Sequence, residues 1–203
     1  MEQIFTHAYQ QNIWGDPESV SGPGSGLVRT AAFREQIKKL LSELGSSSLL
    51  DAGCGDFNWM KEVKLPIQRY FGLDIVRELV DHNRANYGDH NKVFVHGDIA
   101  RDELPQADVI LCRDCLVHFS FEDAWAALRN FKKSQSRYLL TTTFIEFSVN
   151  LDIATGGWRQ LNLERSPFGF PPPEKAIDEK CLHTGRIYAD KRLALWRLED
   201  IEG

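Results

Sequence analysis

Ser48-Leu49-Leu50-Asp51-Ala52-Gly53-Cys54-Gly55-Asp56-Phe57-Asn58-Trp59 is the stretch on which the reading of this chain turns. Ser48–Ala52 is a short apolar run with no polar alternation, the pattern of a strand covered on both faces. It opens directly into two glycines one residue apart. Such a pair lets the turn tighten and lets a ligand lie against bare backbone. The same G-x-G also serves as a plain turn between strand and helix, so it needs support from elsewhere in the chain. A dinucleotide fingerprint would carry a third glycine at position 58, where Asn58 stands, and no G-K-[S/T] occurs. Both facts disfavour a pyrophosphate or Walker-type phosphate loop.

Working outward, short strand-like apolar runs recur at Arg69–Ile75, Lys92–His96, Asp108–Cys112 and Arg137–Thr143. Helical stretches are expected between several of these, at Trp59–Lys64, Val76–Tyr87 and Phe121–Lys133. Strands alternating with helices imply parallel units with right-handed crossovers, hence an α/β fold. Upstream, Leu27, Ala31, Phe33, Ile37, Leu40, Leu41 and Leu44 fall at helical spacing, with Gly45 as a stop. Residues 1–12 suit a short helix, and residues 13–26 a loop rich in Gly, Pro and Ser. Beyond Phe144 the pattern breaks. Residues 150–174 include Pro171-Pro172-Pro173, which excludes a helix or a central strand, and read as an ordered loop over one end of the sheet. Asp190–Asp200 alternates like a strand. No linker divides the chain, so residues 1–203 are expected to form one domain. Its parts are an N-terminal helix, loop and helix (1–44), a core (45–145) and an acceptor-side loop with the final strands (146–203).

The bulk numbers narrow the class. Of 203 residues, 42% are hydrophobic and 26% charged, as in an ordinary globular protein. The net charge of −5 and pI of about 5.7 do not favour a broad nucleic-acid face. No apolar run approaches the roughly 18 residues of a membrane span, and no secretion signal opens the chain. Four cysteines without such a signal suit a reducing cytoplasm. Cys112 and Cys115 form a C-x-x-C pair, but Cys54 and Cys181 stand alone and supply no second pair for zinc. No metal is expected.

In an open α/β sheet a ligand lies beyond the carboxyl ends of the strands, and polar residues gather there. Asp74, followed by Ile75, sits nineteen positions after Gly55, where a carboxylate accepts both hydroxyls of a ribose. It also suits an N-cap of the helix that follows. Asp98 and Ile99 follow the third strand, the first able to accept from an exocyclic adenine amine and the second to pack on the ring. Asp98 equally suits a turn. After the fourth strand comes Arg113-Asp114-Cys115-Leu116-Val117-His118, facing the reacting end of a ligand. His118 is the side chain best suited to move protons near neutral pH, or else a histidine packed beneath the next helix.

The series DAGCGDFNW, FGLD, HGDIA and RDCLVHFS resembles the class I S-adenosylmethionine-dependent methyltransferases in order and spacing over residues 45–145. Within them the chain is similar to a bacterial group of mostly unassigned substrate. That group shares a W-G-x-x-E-S-x-S-G-x-G-S stretch, here Trp14–Ser25, and an F-x-x-P with L-W-x-L, here Phe170–Pro173 and Leu195–Leu198. The resemblance implies a Rossmann-like, mostly parallel seven-stranded sheet with helices on both faces and an antiparallel last strand. A sixth strand would lie near Lys175–Glu179. It implies S-adenosyl-L-methionine as cofactor. Asp51, Gly53 and Gly55 would bound its methionine and ribose portions, Asp74 the ribose hydroxyls, and Asp98 with Ile99 the adenine. Arg113 would lie near the methionine end, through its backbone. The N-P-P-Y or D-P-P-Y of methyltransferases acting on bases or glutamine is missing, which argues against those acceptors.

Methyl transfer asks mainly for alignment and exclusion of water. An oxygen or nitrogen acceptor can also need a base, for which His118, Asp114 and Glu146 are the candidates in that order. The Trp14–Ser25 loop is expected to close over the cofactor, with Trp14 as apolar cover. Trp158, Arg159, Phe168 and Phe170 are expected to wall the acceptor. A small-molecule acceptor is expected, with neither nucleic acid nor membrane as partner. The acceptor, the methylated atom and the oligomeric state are written in no motif. Two other readings fit the fold: a cofactor-binding regulatory module without turnover, and an NAD-dependent oxidoreductase. The missing third glycine and the absence of a second substrate domain count against the last.

Overall fold

Alternate residues of each central strand point to opposite sides, and in this chain both sides are apolar. Leu49, Leu111, Leu140, Leu193 and Leu195 join one buried cluster, while Leu50, Ile110, Leu139, Ala194 and Trp196 join another. A sheet built from such strands must be covered twice. In the computed structural model, which describes residues 1–181 and 187–202, it is. Seven strands, β1 (Ser48–Ala52), β2 (Arg69–Asp74), β3 (Lys92–His96), β4 (Val109–Cys112), β5 (Tyr138–Phe144), β6 (Lys175–Asp178) and β7 (Lys191–Arg197), form one sheet in the order β3-β2-β1-β4-β5-β7-β6. The neighbours among β1 to β5 run parallel, and β7 runs antiparallel to both β5 and β6. The seven-stranded α/β fold and its reversed last strand are as expected, with the sixth strand at the predicted place on the edge.

Helices α2 (Leu27–Glu43) and α3 (Arg77–Tyr87) cover one face through Phe33, Ile37, Leu41 and Val80. Helix α4 (Phe121–Lys133) covers the other through Ala124, Ala127, Leu128 and Phe131. Ser120 caps α4 by accepting from the Asp123 N–H at 3.1 Å. Glu122 and Asp123 lie in its first turn and Lys132 and Lys133 in its last, each complementing the helix dipole. Gly45, at φ +61°, ends α2 in the left-handed conformation open to glycine. The first helix, α1 (Glu2–Gln10), touches the sheet at its carboxyl edge. Phe5 meets Phe119 at 5.9 Å between ring centroids, and Glu2 bonds His96 at 3.0 Å.

Several boundaries differ from expectation for local reasons. Trp59–Lys64 is not a helix: only a 3-10 turn forms, at Met60–Glu62. Pro66 holds its predecessor extended, and the burial of Phe57, Trp59 and Met60 fixes this segment as a packed crossover. The second strand stops at Asp74, because Asp74 Oδ1 accepts the Val76 N–H at 2.9 Å and turns the chain into α3. Asp108 stays outside β4, its Oδ2 accepting from the N–H and hydroxyl of both Ser47 and Ser48. The last strand ends at Arg197 and gives way to a 3-10 turn, Leu198–Asp200. Residues 150–174 form neither helix nor strand, as expected, with Leu161, Leu163, Phe168 and Phe170 buried and Trp158 46% exposed.

Candidate active site

The carboxyl ends of β1, β2, β3 and β4 open onto one cavity, whose free space, mouth included, is about 960 Å³. That suits a drug-sized ligand with room beside it. Its floor is the turn after β1. Gly53 and Gly55 sit at φ +86° and +56°, and a Cβ on Gly55 would come within 2.1 Å of Ser21 Oγ. Glycine is needed at 55 both for the backbone and because the N-terminal loop lies where a side chain would be.

Two carboxylates lie against this floor without an ion-pair partner among the described residues, Arg113 acting on Asp51 only at longer range. Asp51, 5% exposed, accepts the Tyr70 hydroxyl at 2.7 Å. Burial pushes its carboxyl up to about 7, against that hydrogen bond. Asp74, 8% exposed, accepts the Gly55 N–H on Oδ2 at 2.8 Å and the Val76 N–H on Oδ1 at 2.9 Å. Burial raises it too, opposed by those backbone donors. Each oxygen keeps a lone pair for a ligand hydroxyl. Ile75, Leu79, Gly97 and Ile99 continue the wall beyond Asp74.

Asp98 is not part of this wall. Its Oδ1 accepts the Ala100 N–H at 2.9 Å, its other oxygen lies 3.6 Å from Arg101, and it lines a separate shallow recess with Met1 and Glu2. Asp98 thus serves a turn, in a recess that shares Met1 and Ile75 with the cavity.

The opposite side of the cavity is built by charge pairing. Arg113, at the end of β4, is 9% exposed and lies over the Phe33 ring, 4.6 Å from its centroid. Its Nη2 and Nε bond Glu179 Oε2 at 2.7 and 3.1 Å, and Nη2 also reaches the Gly24 carbonyl at 3.0 Å. Lys191, the first residue of β7, bonds Glu179 at 3.2 Å and Asp114 at 2.6 Å. The contacts of Arg113 here are made by its side chain, whereas the resemblance implied a role for its backbone. Asp114 takes φ +51°, its N–H held by Thr142 Oγ1 at 2.9 Å. Burial would raise its carboxyl, but Lys191 and Arg113 hold it well below the usual carboxylate range. A carboxylate so tied is a poor proton acceptor, which removes Asp114 as a base. Glu146 is exposed and outside the cavity, its N–H donating to Asp190, so it is not placed to act as a base there.

His118 and Trp14 both line the cavity, their rings 5.5 Å apart. His118 Nδ1 is 2.8 Å from the Gly157 carbonyl. Burial lowers its pKa, with that carbonyl and Asp114 opposing. The aromatic wall beside them is Phe5, Tyr9 and Phe119. The expected wall of Trp158, Arg159, Phe168 and Phe170 does not reach the cavity. Phe168 instead stacks on Trp125 at 5.3 Å, and Phe170 packs edge-on to Trp196 at 5.3 Å.

The Trp14–Ser25 loop is docked on the glycine turn. The hydroxyls of Ser19 and Ser21 donate to Asp56 at 2.8 and 3.2 Å, and the Asp56 N–H donates to Ser21 Oγ at 2.9 Å. Asn58 Nδ2 donates to Glu18 at 2.9 Å and to the Ser25 carbonyl at 3.2 Å. Asn58 therefore has a role where the dinucleotide fingerprint has glycine: it receives the loop. Sequence reasoning missed Phe5, Tyr9, Ser21 and Phe119 in the wall. The spacing of Ser19 and Ser21, with Asp56 as the next acid beyond Gly55, was the one available signal.

No curated protein matches the chain. Residues 49–135 match the family model described as "Methyltransferase domain". Among solved structures, magnesium protoporphyrin IX methyltransferase from Synechocystis PCC 6803 with bound SAM is similar at a TM-score of 0.58 and 16% identity, over 97% of this chain and 96% of that one. N-methyltransferase NodS from Bradyrhizobium japonicum WM9, in complex with S-adenosyl-L-homocysteine, is similar at 0.55 and 14% identity, over 68% and 73%. At these identities the likeness is one of fold.

Proposed function

We propose that this chain, whose residues 49–135 match a methyltransferase domain on a fold like that of known methyltransferases, transfers a methyl group from S-adenosyl-L-methionine to a small-molecule acceptor. The observation that carries the cofactor is the pair of buried carboxylates, without an ion pair among the described residues, against a glycine floor. A buried carboxylate without a cation is costly unless a ligand satisfies it. Asp74 would take the ribose hydroxyls, and Ile75, Leu79 and Ile99 would flank the adenine. Gly53 and Gly55 would let the methionine portion lie against backbone, with Asp51 and Arg113 near its charged end. The cofactor supplies a methyl carbon activated by a positive sulfur. The chain supplies alignment, cover and a proton acceptor.

A small acceptor is supported by the cover. Phe5, Tyr9 and Trp14 roof the cavity beside His118, which leaves a mouth suited to a compact molecule rather than a duplex or a protein surface. Trp14 belongs to a loop anchored by Asp56 and Asn58, so the cover is a fixed wall more than a swinging lid. His118 is the proposed base, since Asp114 is spent on Lys191. No helix among the described residues is long and apolar enough to cross a membrane. The described cysteines are free thiols, which suits the cytoplasm.

The test is transfer of label from methyl-labelled S-adenosylmethionine into the deproteinised small-molecule fraction of a bacterial extract. Label in that fraction with the wild type, and none with His118→Asn, is expected. Label in macromolecules only would overturn the small acceptor. Cofactor binding with no transfer to any fraction would favour a regulatory module.

A further inference from the structure

Thr155–Arg159 (TGGWR) lines no part of the cavity, yet it is tied at many points to the turn that carries His118. The Gly156 N–H donates to the His118 carbonyl at 2.8 Å, and the Arg159 N–H to the Val117 carbonyl at 3.1 Å. Arg159 Nη1 donates to the carbonyls of Leu116 and Val117 at 3.1 and 3.0 Å. The Ser120 N–H donates to Thr155 Oγ1 at 2.9 Å, and the Thr155 hydroxyl donates to Asp123. A 3-10 turn of three residues leaves most of its carbonyls without internal partners. Here a segment some forty residues further along the chain closes them.

The same segment decides the state of the imidazole. A carbonyl can only accept, so the 2.8 Å contact to Gly157 puts the proton on His118 Nδ1. The neutral ring then presents Nε2 as a bare acceptor, and Nε2 bonds no group among the described residues. The groups facing the ring divide in sign. Burial, Arg159 and Lys191 disfavour the imidazolium, while the Gly157 carbonyl and Asp114 favour it, and the balance lowers the pKa.

Arg159 is more than a cap would require. It is 6% exposed, its Nε and Nη2 have no partner among the described residues, and Asp152 acts on it only at longer range, without an ion pair among those residues. Its guanidinium lies over the Phe121 ring at 5.3 Å. An unpaired buried cation is expensive, so a neutral donor would close the two carbonyls at lower cost. What a cation adds is its field on the adjacent ring.

We propose that Arg159 and the Gly157 carbonyl are a positioning pair that presents His118 to the cavity as the Nδ1–H tautomer, with Nε2 ready to take a proton from the methyl acceptor. The acceptor is then a group that enters with its proton, a neutral hydroxyl or N–H. Its lone pair forms the bond to the methyl carbon as the carbon–sulfur bond breaks with its electrons to sulfur, and its proton passes to Nε2. This rests on the reading of His118 as base.

The test uses the full chain labelled with 15N in its histidine rings. Long-range proton–nitrogen spectra are recorded across pH for the wild type, Arg159→Met and Arg159→Lys. His118 is assigned by its loss in His118→Asn. The wild type is expected to show His118 protonated on Nδ1 and titrating below ordinary histidine. Arg159→Met is expected to titrate at higher pH with mixed tautomers, and Arg159→Lys to lie between. An Nε2–H tautomer in the wild type would overturn the inference without any variant, so it stays testable even if Arg159→Met fails to fold. An unchanged titration in a folded Arg159→Met would overturn the role of Arg159. Methyl transfer retained in His118→Asn would instead sink the base reading, while leaving the tautomer result standing.

Discussion

Two groups of buried carboxylates face each other across the cavity, and they are handled oppositely. At the ends of β1 and β2, Asp51 and Asp74 have hydrogen bonds but no ion pair among the described residues, and burial raises both. At the ends of β4 and β6, Glu179 and Asp114 share Arg113 and Lys191, and Asp114 is held low. The first group has no ion-pair partner within the described chain, while the second is tied by two cations through Glu179 Oε2 and Asp114, with Glu179 Oε1 left unpartnered among the described residues. The difference separates a place for a ligand from a brace that fixes the strand ends around it.

The sharpest way to break this comparison is to unbalance the brace. Arg113→Met would leave Glu179, 1% exposed, with Lys191 as its remaining ion-pair partner among the described residues. A loss on the order of 3–5 kcal/mol in urea-monitored stability at pH 7 is expected for opening a buried ionic cluster of this kind. A loss below about 1 kcal/mol would mean that the cluster behaves like a surface pair and braces nothing.

The first group should show the reverse dependence on pH. Asp51 is raised from about 4 in the unfolded chain to about 7 in the fold. Its neutral form therefore favours folding, fully below pH 4, and that contribution is lost as pH rises through 7. The stability of the wild type minus that of Asp51→Asn, measured between pH 4 and 8, should fall by up to a few kcal/mol. Other titrating groups cancel in the difference. A flat or rising difference would contradict the raised carboxyl.

Much of the side of the first group was legible in the sequence, and little of the brace was. Asp51, Gly53, Gly55 and Asp74 lie directly after strands that announce themselves, so position in the chain predicts position in space. Arg113 could be placed the same way, but its partner Glu179 lies 66 positions further on, behind a segment with no period to read. Asp98 looked like its neighbours because an acid after a strand serves a turn as readily as a ligand. Trp158 and Arg159 looked like a wall because aromatic and cationic residues suit one. Their segment instead passes behind the His118 turn, a placement set by backbone hydrogen bonds that leave no pattern in side-chain type. For the fold, apolar runs found the first five strands and alternation the last, while the sixth, short and on the edge, was placed only through the resemblance; the crossover at Met60–Glu62 was misread because its buried aromatics mimic a helical face.

A smaller effect is expected where the N-terminal loop meets the side of the first group. Ser19→Ala and Ser21→Ala each remove a hydroxyl bonded to Asp56. Each should cost about 1 kcal/mol, and the double variant should bind S-adenosylhomocysteine several-fold more weakly by calorimetry. Unchanged affinity would show that the loop covers the cavity without shaping it.

The most direct measurement is a calorimetric titration of the wild type and Asp74→Ala with S-adenosylhomocysteine, with NAD as control. The account predicts saturable binding by the wild type and none of NAD. It predicts an affinity for S-adenosylhomocysteine lower by about 10- to 100-fold in the variant, the worth of one or two hydrogen bonds to a charged group. A folded wild type that does not bind, or a variant that binds equally well, would contradict it.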